Sequence, residues 1–468
     1  MKTFIAFDLG AGSGRAAVGR LADGKLSMEE IHRFPNEIIH EGEHLYWDIE
    51  ALFGNIVEGL RKAAEAGIEP DAVGIDTWGV DVAFFGADGK LLGNPYCYRD
   101  PQTEGIPEKF FSEVLSREEL YARTGIQVMN FNTLFQLYSL SLRDDRMLRE
   151  AKRILFLPDA LTYMLSGAEV TEYTIASTSH FLDPRAKVLD RDLLEKIGVS
   201  PDLFAPVVMP GTKVGCIKDE IADKCGLRRG IPVIAVAGHD TGSAVAAVPA
   251  QDENFAYISS GTWSLMGVET KQPILTPEAA AANITNEGGV EGTTRFLKNI
   301  TGMWIVENLL REWRDQGFVY SYQQMTAMAR SAAPARSHIN PDDASFAAPA
   351  NMQKAIDDYL SAKGLPALVT HSDYLRCVFE SLALRYKEVM EMIKSLSPVK
   401  IDRLHVIGGG SRNELLNDFT REALGIPVIA GPTEATAAGN LMMQAYGLGA
   451  VSSLQEMRKI IADSIENI

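Results

Sequence analysis

The opening segment constrains the fold of this chain most: an apolar run ends on a carboxylate and turns back through three glycines. Residues 4–7 read Phe-Ile-Ala-Phe, Asp8 follows, and a glycine-rich turn over 10–14 leads into a second apolar run at 16–18. Burying a carboxylate is costly unless something uses it, and glycines allow a positive φ and a close approach of the backbone to a ligand. The pattern predicts a β-hairpin whose turn presents N–H groups to an anion, with Asp8 placed to position Mg²⁺.

Taken alone, this segment leaves other interpretations open. The dinucleotide fingerprint is G-x-G-x-x-G opening a helix, whereas the spacing over 10–14 is G-x-G-x-G and a second strand follows. An ordinary β-hairpin with a glycine-rich turn is the remaining alternative, and only other segments of the chain decide against it. The sequence contains no Walker A pattern G-x-x-x-x-G-K-[ST], so a nucleotide site in this chain is of another design.

A second segment of the same kind lies near the middle of the chain. Residues 256–268 are again a strand, a turn of small residues and a strand, about 250 residues after the first. A repeat at half the chain length predicts two similar domains, each with a phosphate-binding hairpin. At 468 residues and 46% hydrophobic composition, the chain is also long enough for two cores. We expect domains over 1–248 and 249–468, with polar residues at 250–253.

Charge and cysteine content limit the partners and the compartment. The net charge of −17 argues against a nucleic acid or an anionic membrane as a partner, but it permits ATP, because a small anion needs only local positive potential. The sequence shows no signal-peptide core and no apolar run of transmembrane length. The four cysteines are widely spaced and form no C-x-x-C or zinc pattern. We expect a cytoplasmic protein with small-molecule ligands and no nucleic-acid or membrane partner; assembly into a homo-oligomer stays open.

Residues 40–44 read His-Glu-Gly-Glu-His, which formally matches the zinc-protease pattern H-E-x-x-H. That pattern binds zinc only on a helix, where both imidazoles project from one face. Gly42 lies inside the pattern and Pro35 lies upstream of it, so no helix is expected there. The helix is predicted to start later, with Asp48 as its N-cap, and a zinc site is not expected.

Two further predicted strands end at carboxylates. The run 72–75 ends on Asp76 and continues as Thr-Trp-Gly-Val-Asp. The run 231–237 leads into Gly-His-Asp-Thr-Gly, where Asp240 is either a helix N-cap or a reactive carboxylate. The position alone does not separate these two roles.

The last third of the chain adds a third glycine-rich turn. A strand over 404–407 leads into three glycines and a helix predicted to begin near Asn413, an arrangement that suits an anion. Helices are predicted around 107–122 and 133–165, and a long one over 373–396. The turns and strand-end carboxylates together predict phosphoryl transfer, in which the turns hold ATP, one Asp positions magnesium and another accepts a proton.

Eight motifs, in this order, resemble those of the FGGY carbohydrate kinases, and the resemblance covers nearly the whole chain. They are DLGAGSGR (8–15), GIDTWGVD (74–81), GHDTGSA (238–244), SSGTWSLMG (259–267), NITNEGG (283–289), LKNITGMW (297–304), GGGSRN (408–413) and EATAAGN (434–440). The resemblance implies an α/β fold of two ribonuclease-H-like (actin-like ATPase) domains with an interdomain active-site cleft. It also implies that the N-terminal domain binds the sugar and carries the catalytic Asp near its end, and that the C-terminal domain binds the nucleotide.

The resemblance further implies roles for particular residues. Asp240 matches the catalytic base of the family, and Asp8 would hold Mg²⁺ through water. The implied sugar-binding residues are Gly79, His239, Asp240, Thr241 and Asn299. The implied ATP-binding residues are Ala11, Gly12, Ser13, Gly14, Arg15, Thr262, Gly409 and Asn413. Glu307 stands where the family pattern has a nucleotide-contacting glutamine, so no role is assigned to it.

Within the family, the motifs are most similar to those of bacterial kinases that act on L-rhamnulose. The expected reaction is ATP-dependent phosphorylation of L-rhamnulose at its C1 hydroxyl, which gives L-rhamnulose 1-phosphate and ADP in L-rhamnose catabolism. A kinase for another ketose or polyol, such as L-fuculose or L-xylulose, is an alternative, since only the sugar pocket would differ. A switch ATPase of the same fold is an alternative from another class, although it would not need Asp240 in its Gly-His-Asp-Thr turn.

Overall fold

The structure is a computed structural model that describes residues 1–347 and 349–467. The described chain divides into two compact units. Unit 1 comprises residues 1–251, 269–296 and 434–467, and unit 2 comprises residues 252–268 and 297–433. Both units are built from separated segments, and the domain boundary expected between 248 and 249 stays a prediction.

Strands and helices alternate along much of the chain. The strands are β1 (Lys2–Leu9), β2 (Ser13–Ala22), β3 (Lys25–Pro35), β4 (Ile38–Glu41), β5 (His44–Trp47), β6 (Ala72–Thr77), β7 (Val82–Phe85), β8 (Arg153–Phe156), β9 (Thr171–Glu172), β10 (Leu182–Asp183), β11 (Val188–Leu189), β12 (Val207–Val208), β13 (Thr212–Cys216), β14 (Pro232–Ala235), β15 (Phe255–Ser260), β16 (Trp263–Thr270), β17 (Thr285–Gly288), β18 (Thr294–Thr301), β19 (Arg403–Ile407) and β20 (Val428–Ala430). The helices are α1 (Ile49–Glu65), α2 (Ile106–Glu113), α3 (Arg117–Thr124), α4 (Thr133–Leu142), α5 (Arg146–Glu150), α6 (Leu157–Ser166), α7 (Tyr173–Ala176), α8 (Arg191–Lys196), α9 (Asp219–Cys225), α10 (Asp240–Ala246), α11 (Pro277–Ala281), α12 (Trp304–Asp315), α13 (Tyr322–Ser331), α14 (Met352–Ala362), α15 (His371–Leu396), α16 (Glu414–Leu424), α17 (Ala435–Gly447) and α18 (Leu454–Ala462).

The main sheet of unit 1 has the strand order β13-β14-β6-β1-β2-β3. β1 pairs antiparallel with β2 and parallel with β6, and β14 pairs parallel with β6. Residues 4–9 of β1 are all buried, which explains why residues 4–7 are all apolar, since a strand covered on both faces loses the alternation of polar and apolar residues. Ile5, Phe7 and Leu9 share a hydrophobic core with α1, whereas α17 packs against β1 and β6.

Helix α1 begins where the sequence predicts. Asp48 is its N-cap, and the carboxylate accepts a hydrogen bond from the N–H of Ala51 at 2.8 Å. Residues 40–44 lie upstream in the β4–β5 hairpin, where Glu41 is paired with His44. The H-E-x-x-H pattern is therefore not helical, and its two imidazoles do not share a helix face.

Unit 2 repeats the strand arrangement of unit 1. Its strands follow the order β18-β16-β15-β19-β20, which corresponds to β3-β2-β1-β6-β14 in unit 1. β15 pairs antiparallel with β16 and parallel with β19, and β19 pairs parallel with β20. The two glycine-rich or small-residue hairpins thus occupy the same place in two equivalent sheets, which confirms the predicted repeat.

One element differs from the sequence-based expectation. The segment 133–165, predicted as helical, contains the strand β8 at Arg153–Phe156 between α5 and α6. β8 pairs with β7 in a separate two-stranded sheet, so the prediction of helix at these residues is wrong. β8 contains only three apolar residues, and so short an apolar run does not distinguish a strand from a helix by periodicity. Among the described helices, none is long and apolar enough to cross a membrane.

Candidate active site

Three carboxylates lie at or after the carboxyl ends of neighbouring parallel strands of unit 1. Asp8 on β1 is the register partner of Asp76 on β6. Thr77, the next residue, forms a parallel bridge with His239, which follows β14 and precedes Asp240. Ligands of open α/β sheets bind at this edge. The topology therefore gathers residues that are far apart in sequence at the edge where a site is expected.

Arg15 binds Asp8 across the first hairpin. Its Nε and Nη2 atoms donate to Oδ2 of Asp8 at 3.0 and 2.6 Å, and the register places the two residues opposite each other. Its Nη1 atom also forms an ion pair with Glu434, the N-cap residue of α17. The arginine predicted to bind a nucleotide phosphate is thus engaged by two carboxylates in this structure.

The turn between β1 and β2 leaves room for a ligand. The N–H of Gly10 donates to the carbonyl of Ser13 at 2.9 Å. Gly10, Gly12 and Gly14 all have a negative or extended φ, so the expectation that these glycines serve a positive φ is wrong. Lack of space explains Gly14, because a Cβ there would lie 2.3 Å from the ring of Phe34. A Cβ at Gly12 would have no atom within 4 Å, so this residue borders open space.

Asp76 is fully buried, and one of its oxygens has no hydrogen-bond partner among the described residues. Nδ2 of Asn440 donates to Oδ2 at 2.5 Å, while Oδ1 is unsatisfied. Burial raises the pKa of Asp76 well above its usual value, and the carboxylates of Asp8 and Asp240 raise it further, while Asn440 lowers it. An unsatisfied buried carboxylate oxygen is unfavourable unless a water, an ion or a ligand donates to it or binds it.

The turn after β6 is strained and is held from both sides. Val80 has a φ of +69°, which a β-branched residue rarely adopts. Its N–H donates to Oγ1 of Thr178 at 3.1 Å, and its carbonyl accepts from Oγ1 of Thr133 at 2.6 Å. Asp81 anchors the same turn by accepting from two tryptophan Nε1–H groups. Strain of this kind persists only where the surroundings impose it, and it fixes the backbone next to Gly79, a predicted sugar-binding residue.

Asp240 is the first residue of α10, and His239 is the N-cap, so Asp240 does not have the N-cap role considered from the sequence. Its Oδ1 accepts from the N–H of Thr241 at 2.5 Å and lies 3.5 Å from Nε2 of His239. The side chain keeps 30% of its surface exposed. Burial raises the pKa of Asp240, His239 and Thr241 lower it, and Asp8 raises it, with a net increase. The carboxylate is thus accessible but in a less polar environment than water.

Helices α10 and α17 approach each other closely at Gly439. A Cβ at this position would lie 1.8 Å from the backbone oxygen of Ser243. Only glycine permits this approach of two backbones. Because α10 begins at Asp240, the contact helps to set where that carboxylate lies.

In unit 2, Thr262 lies in the turn between β15 and β16, the counterpart of the glycine-rich turn of unit 1. Its Oγ1 lies 3.4 and 3.3 Å from the two carboxylate oxygens of Glu307, to which it donates. Its carbonyl accepts from the N–H groups of Gly302 and Trp304 at 3.1 and 3.2 Å. Glu307, to which the sequence assigned no role, therefore orients the hydroxyl that is expected to meet a nucleotide phosphate.

The glycines that follow β19 lie against the end of β15 in unit 2. A Cβ at Gly410 would lie 2.0 Å from Oγ of Ser260, whereas a Cβ at Gly409 would have no atom within 4 Å. Asn413 is buried and caps α16, where its Oδ1 accepts from the N–H of Leu416 at 3.0 Å. The N-cap hydrogen bond gives Asn413 a structural role that needs no ligand. The open space at Gly409, by contrast, suits a ligand.

The predicted site residues fall into two groups. Unit 1 contains Asp8, Ala11, Gly12, Ser13, Gly14, Arg15, Gly79, His239, Asp240 and Thr241; unit 2 contains Thr262, Asn299, Gly409 and Asn413. Asn299 lies half-buried on β18. Sequence reasoning did not assign Asp76, Glu434 or Asn440, although all three belong to motifs that it singled out. Their place in the site follows from pairing over long sequence separations, 364 residues for Asn440 and Asp76.

The carboxylates of unit 1 suit a hydrated divalent cation. Asp8 is buried, with 11% of its side chain exposed, and Oδ1 of Asp76 has no protein donor among the described residues. Carboxylate oxygens are the ligands Mg²⁺ prefers, and the ion keeps several of its waters. In the described part of the chain, no three His, Cys, Asp or Glu side chains are arranged to ligate a metal together. The expectation that Asp8 holds Mg²⁺ through water stays a prediction.

Sequence comparison matches both halves of the chain to one family. The family models described as the N-terminal and C-terminal domains of the FGGY family of carbohydrate kinases match residues 3–247 and 256–448. The rhamnulokinase of Bacteroides thetaiotaomicron is 54% identical over 464 residues, which cover 99% of this chain and 94% of that protein. The rhamnulokinase of Halalkalibacterium halodurans is 40% identical over 466 residues, which cover 100% of this chain and 98% of that protein.

Structure comparison gives the same fold at low sequence identity. The xylulose kinase of Lactobacillus acidophilus matches with a TM-score of 0.81 at 15% identity, over 98% of this chain and 92% of that one. Glycerol kinase of Plasmodium falciparum matches with a TM-score of 0.80 at 14% identity, over 99% of this chain and 92% of that one. These matches confirm the α/β, actin-like fold of two ribonuclease-H-like domains. The chain belongs to the FGGY family of carbohydrate kinases.

Proposed function

We propose that the chain phosphorylates L-rhamnulose at its C1 hydroxyl with ATP and Mg²⁺, giving L-rhamnulose 1-phosphate and ADP. Similarity to relatives named rhamnulokinase over nearly the whole chain supports this substrate. The observation that carries the chemistry is the accessible carboxylate of Asp240 at the edge of the unit 1 sheet. Among the described residues, only His239 lies within ion-pair distance of it. A carboxylate that no lysine or arginine neutralises is free to accept a proton.

Asp240 accepts the proton of the C1 hydroxyl as that oxygen forms a bond to the γ-phosphorus of ATP. The bond from the γ-phosphorus to the oxygen that bridges to the β-phosphorus breaks, and ADP leaves with that oxygen. Catalysis of this kind depends mainly on alignment and on stabilising the charge of the transferring group. Mg²⁺ near Asp8 supplies part of that stabilisation when it is bound.

The remaining predicted residues take binding roles in this proposal. Gly79, His239, Thr241 and Asn299 contact the sugar, and residues 11–15, Thr262, Gly409 and Asn413 contact ATP. The open space around Gly12 and Gly409 supports the ATP-binding assignments, because it leaves backbone accessible to a ligand. The N-terminal domain over 1–248 binds the sugar, and the C-terminal domain over 249–468 binds the nucleotide.

The test is coupled ADP release with ATP, Mg²⁺ and a panel of L-rhamnulose, L-fuculose, L-xylulose, L-ribulose and glycerol. A clear preference in kcat/KM for L-rhamnulose is expected, with ³¹P NMR locating the phosphate on C1. Preference for another sugar would reject the substrate and keep the kinase. Slow ATP hydrolysis that no sugar accelerates would reject the kinase in favour of a switch ATPase.

A further inference from the structure

A buried arginine and a buried glutamate lie behind His239 in unit 1, and the proposed reaction does not use either of them. The Arg295 side chain is 0% exposed and Glu287 is 7% exposed, with Nη1 and Oε2 3.2 Å apart. Nε of Arg295 donates to the carbonyl of Gly288 at 2.8 Å. A guanidinium is costly to bury unless its charge and its donors are used. The burial of this ion pair therefore needs an explanation, and a third residue in contact with it provides one.

That third neighbour is the imidazole of His239. Nη2 of Arg295 lies 3.1 Å from Nδ1 of His239, within hydrogen-bond distance. A guanidinium has donors and no acceptor, so a hydrogen bond here requires Nδ1 to be the unprotonated, accepting nitrogen. Oε2 of Glu287 also lies 3.2 Å from Nδ1, but it makes no hydrogen bond of acceptable geometry with any described residue. The contacts favour a proton on Nε2.

The other side of the imidazole faces the residues proposed to handle the sugar. Nε2 lies 3.5 Å from Oδ1 of Asp240, and a Cβ built at Gly79 would lie 3.5 Å from Nε2. The tautomer of a histidine is set by the hydrogen bond at its other nitrogen. A hydrogen bond that makes Nδ1 the acceptor thus decides whether Nε2 of His239 donates or accepts beside the carboxylate of Asp240.

We propose that Arg295, with its charge balanced by Glu287, is a positioning residue that holds His239 as the neutral Nε2–H tautomer. In this form the imidazole donates a hydrogen bond beside Asp240 and cannot accept one there. In an open-chain ketose the atom next to C1 carries a carbonyl oxygen, which only accepts hydrogen bonds. The arrangement therefore favours a ketose with a C2 carbonyl, and this choice of ligand rests on the proposed function.

The first experiment measures the tautomer directly, without sugar or nucleotide. The protein is labelled with ¹⁵N-histidine, and long-range ¹H–¹⁵N NMR spectra are recorded near neutral pH, with the His239 signals assigned by their loss in His239→Gln. The expected result is a protonated Nε2 and an unprotonated Nδ1. A protonated Nδ1 in the wild-type protein, which would donate to Glu287, overturns the proposal whether or not any sugar is turned over.

The second experiment removes the pair and keeps the buried charge balanced. The double variant Arg295→Met/Glu287→Gln is expected to shift His239 toward the Nδ1–H tautomer. Its kcat/KM for the sugar is expected to fall roughly 10–100-fold, by analogy with the loss of a partner that orients a metal-ligating histidine, while the KM for ATP stays unchanged. A wild-type tautomer and wild-type kcat/KM in this variant would overturn the proposal.

Arg458 and Glu269 provide the matched control, because they form another ion pair with little exposure in unit 1. The variant Arg458→Met/Glu269→Gln is expected to leave the His239 tautomer and the sugar kcat/KM unchanged. Equal losses in both double variants would show that the Arg295 pair is merely structural and would overturn the proposal. Failure of the whole ketose panel would instead reject the proposed function, while the tautomer measured in the free protein would stand.

Discussion

Asp240 combines partial exposure with a pKa that burial raises above its usual value. Asp240→Asn keeps the size of the side chain and removes the base, so kcat is expected to fall roughly 10²–10⁴-fold. The measurement is ADP release at saturating sugar, with circular dichroism to check the fold. In the wild-type enzyme kcat/KM is expected to decrease on the acid side, with an apparent pKa above that of a free aspartate. A variant with more than half of the wild-type activity would exclude Asp240 as the base.

The buried carboxylate of Asp76 leads to a prediction about the free energy of unfolding. Because burial and nearby carboxylates raise its folded pKa above 3.8, the folded state keeps a proton that the unfolded chain releases, and the free energy of unfolding falls as pH rises from about 4. Asp76→Asn removes this loss, so the variant is expected to be more stable than the wild type near neutral pH. Urea denaturation from pH 4 to 8 measures the free energy of unfolding of the variant and the wild type. The difference between the two proteins should vanish near pH 4.

Asp71 is a control for which substitution by asparagine is expected to change the stability in the opposite direction. Burial acts to raise its pKa, but the N–H of Thr3 and the ammonium of Lys2 outweigh it, and the pKa is lowered. Its contribution to stability is present above the unfolded pKa and is lost as pH falls through the folded pKa. Asp71→Asn is therefore expected to be less stable than the wild type at neutral pH. The same sign for both variants would contradict this account.

At the scale of elements, the approach of α10 and α17 is the feature most sensitive to substitution. A Cβ at Gly439 would lie 1.8 Å from the backbone oxygen of Ser243, which no rotamer change relieves. Gly439→Ala is expected to cost about 3 kcal/mol in the free energy of unfolding, at the upper end for overpacking. It should also lower kcat, because α10 carries Asp240 at its first position. Denaturant titration and ADP release measure the two effects.

Gly54 is the matched control for that substitution. It lies exposed in α1, and a Cβ there would have no atom within 4 Å. Gly54→Ala is expected to stabilise the protein by about 0.5–1 kcal/mol, because glycine is unfavourable inside a helix. If both substitutions changed the free energy of unfolding equally, the close approach of α10 and α17 would not explain the effect at Gly439.

Elements defined by local pattern could be predicted from the sequence, and those defined by long-range pairing could not. The two hairpins, the Asp48 cap and the helix after Asn413 follow from turn chemistry and apolar periodicity. β8 was not predicted, because its three apolar residues lie between helices. The contacts of Asp76 with Asn440 and of Arg15 with Glu434 join residues more than three hundred positions apart. No local rule relates such residues, although the motifs containing them were recognised.

At the scale of the whole molecule, the last segment of the chain belongs to unit 1. α18 lies against β3 and α10, the N–H of Leu26 donates to Oγ of Ser464 at 2.9 Å, and Ile461 is fully buried. Ile461→Ala is expected to cost about 2–5 kcal/mol. Hydrogen exchange measured by mass spectrometry should accelerate in β1, β2 and β3 and leave β15 and β19 protected.

Ile407 on β19 provides the reciprocal control, since it is fully buried in unit 2. Ile407→Ala is expected to accelerate exchange in β15 and β19 and to leave β1 and β3 protected. Equal acceleration in both sets of strands, for either variant, would show that the two units unfold together.

Assembly of unit 1 from separated segments has a consequence for how the protein is made. A ribosome completes both segments of unit 2 by residue 433, while unit 1 still lacks α17, α18 and the side chain of Asn440 that satisfies Asp76. The first strand emerges at the start of synthesis, yet α17, which packs against it, emerges at the end. During translation, the face of the N-terminal sheet that α17 covers therefore stays exposed until α17 has been synthesised. Unit 1, whose synthesis begins first, is complete only after α17 and α18 have been synthesised.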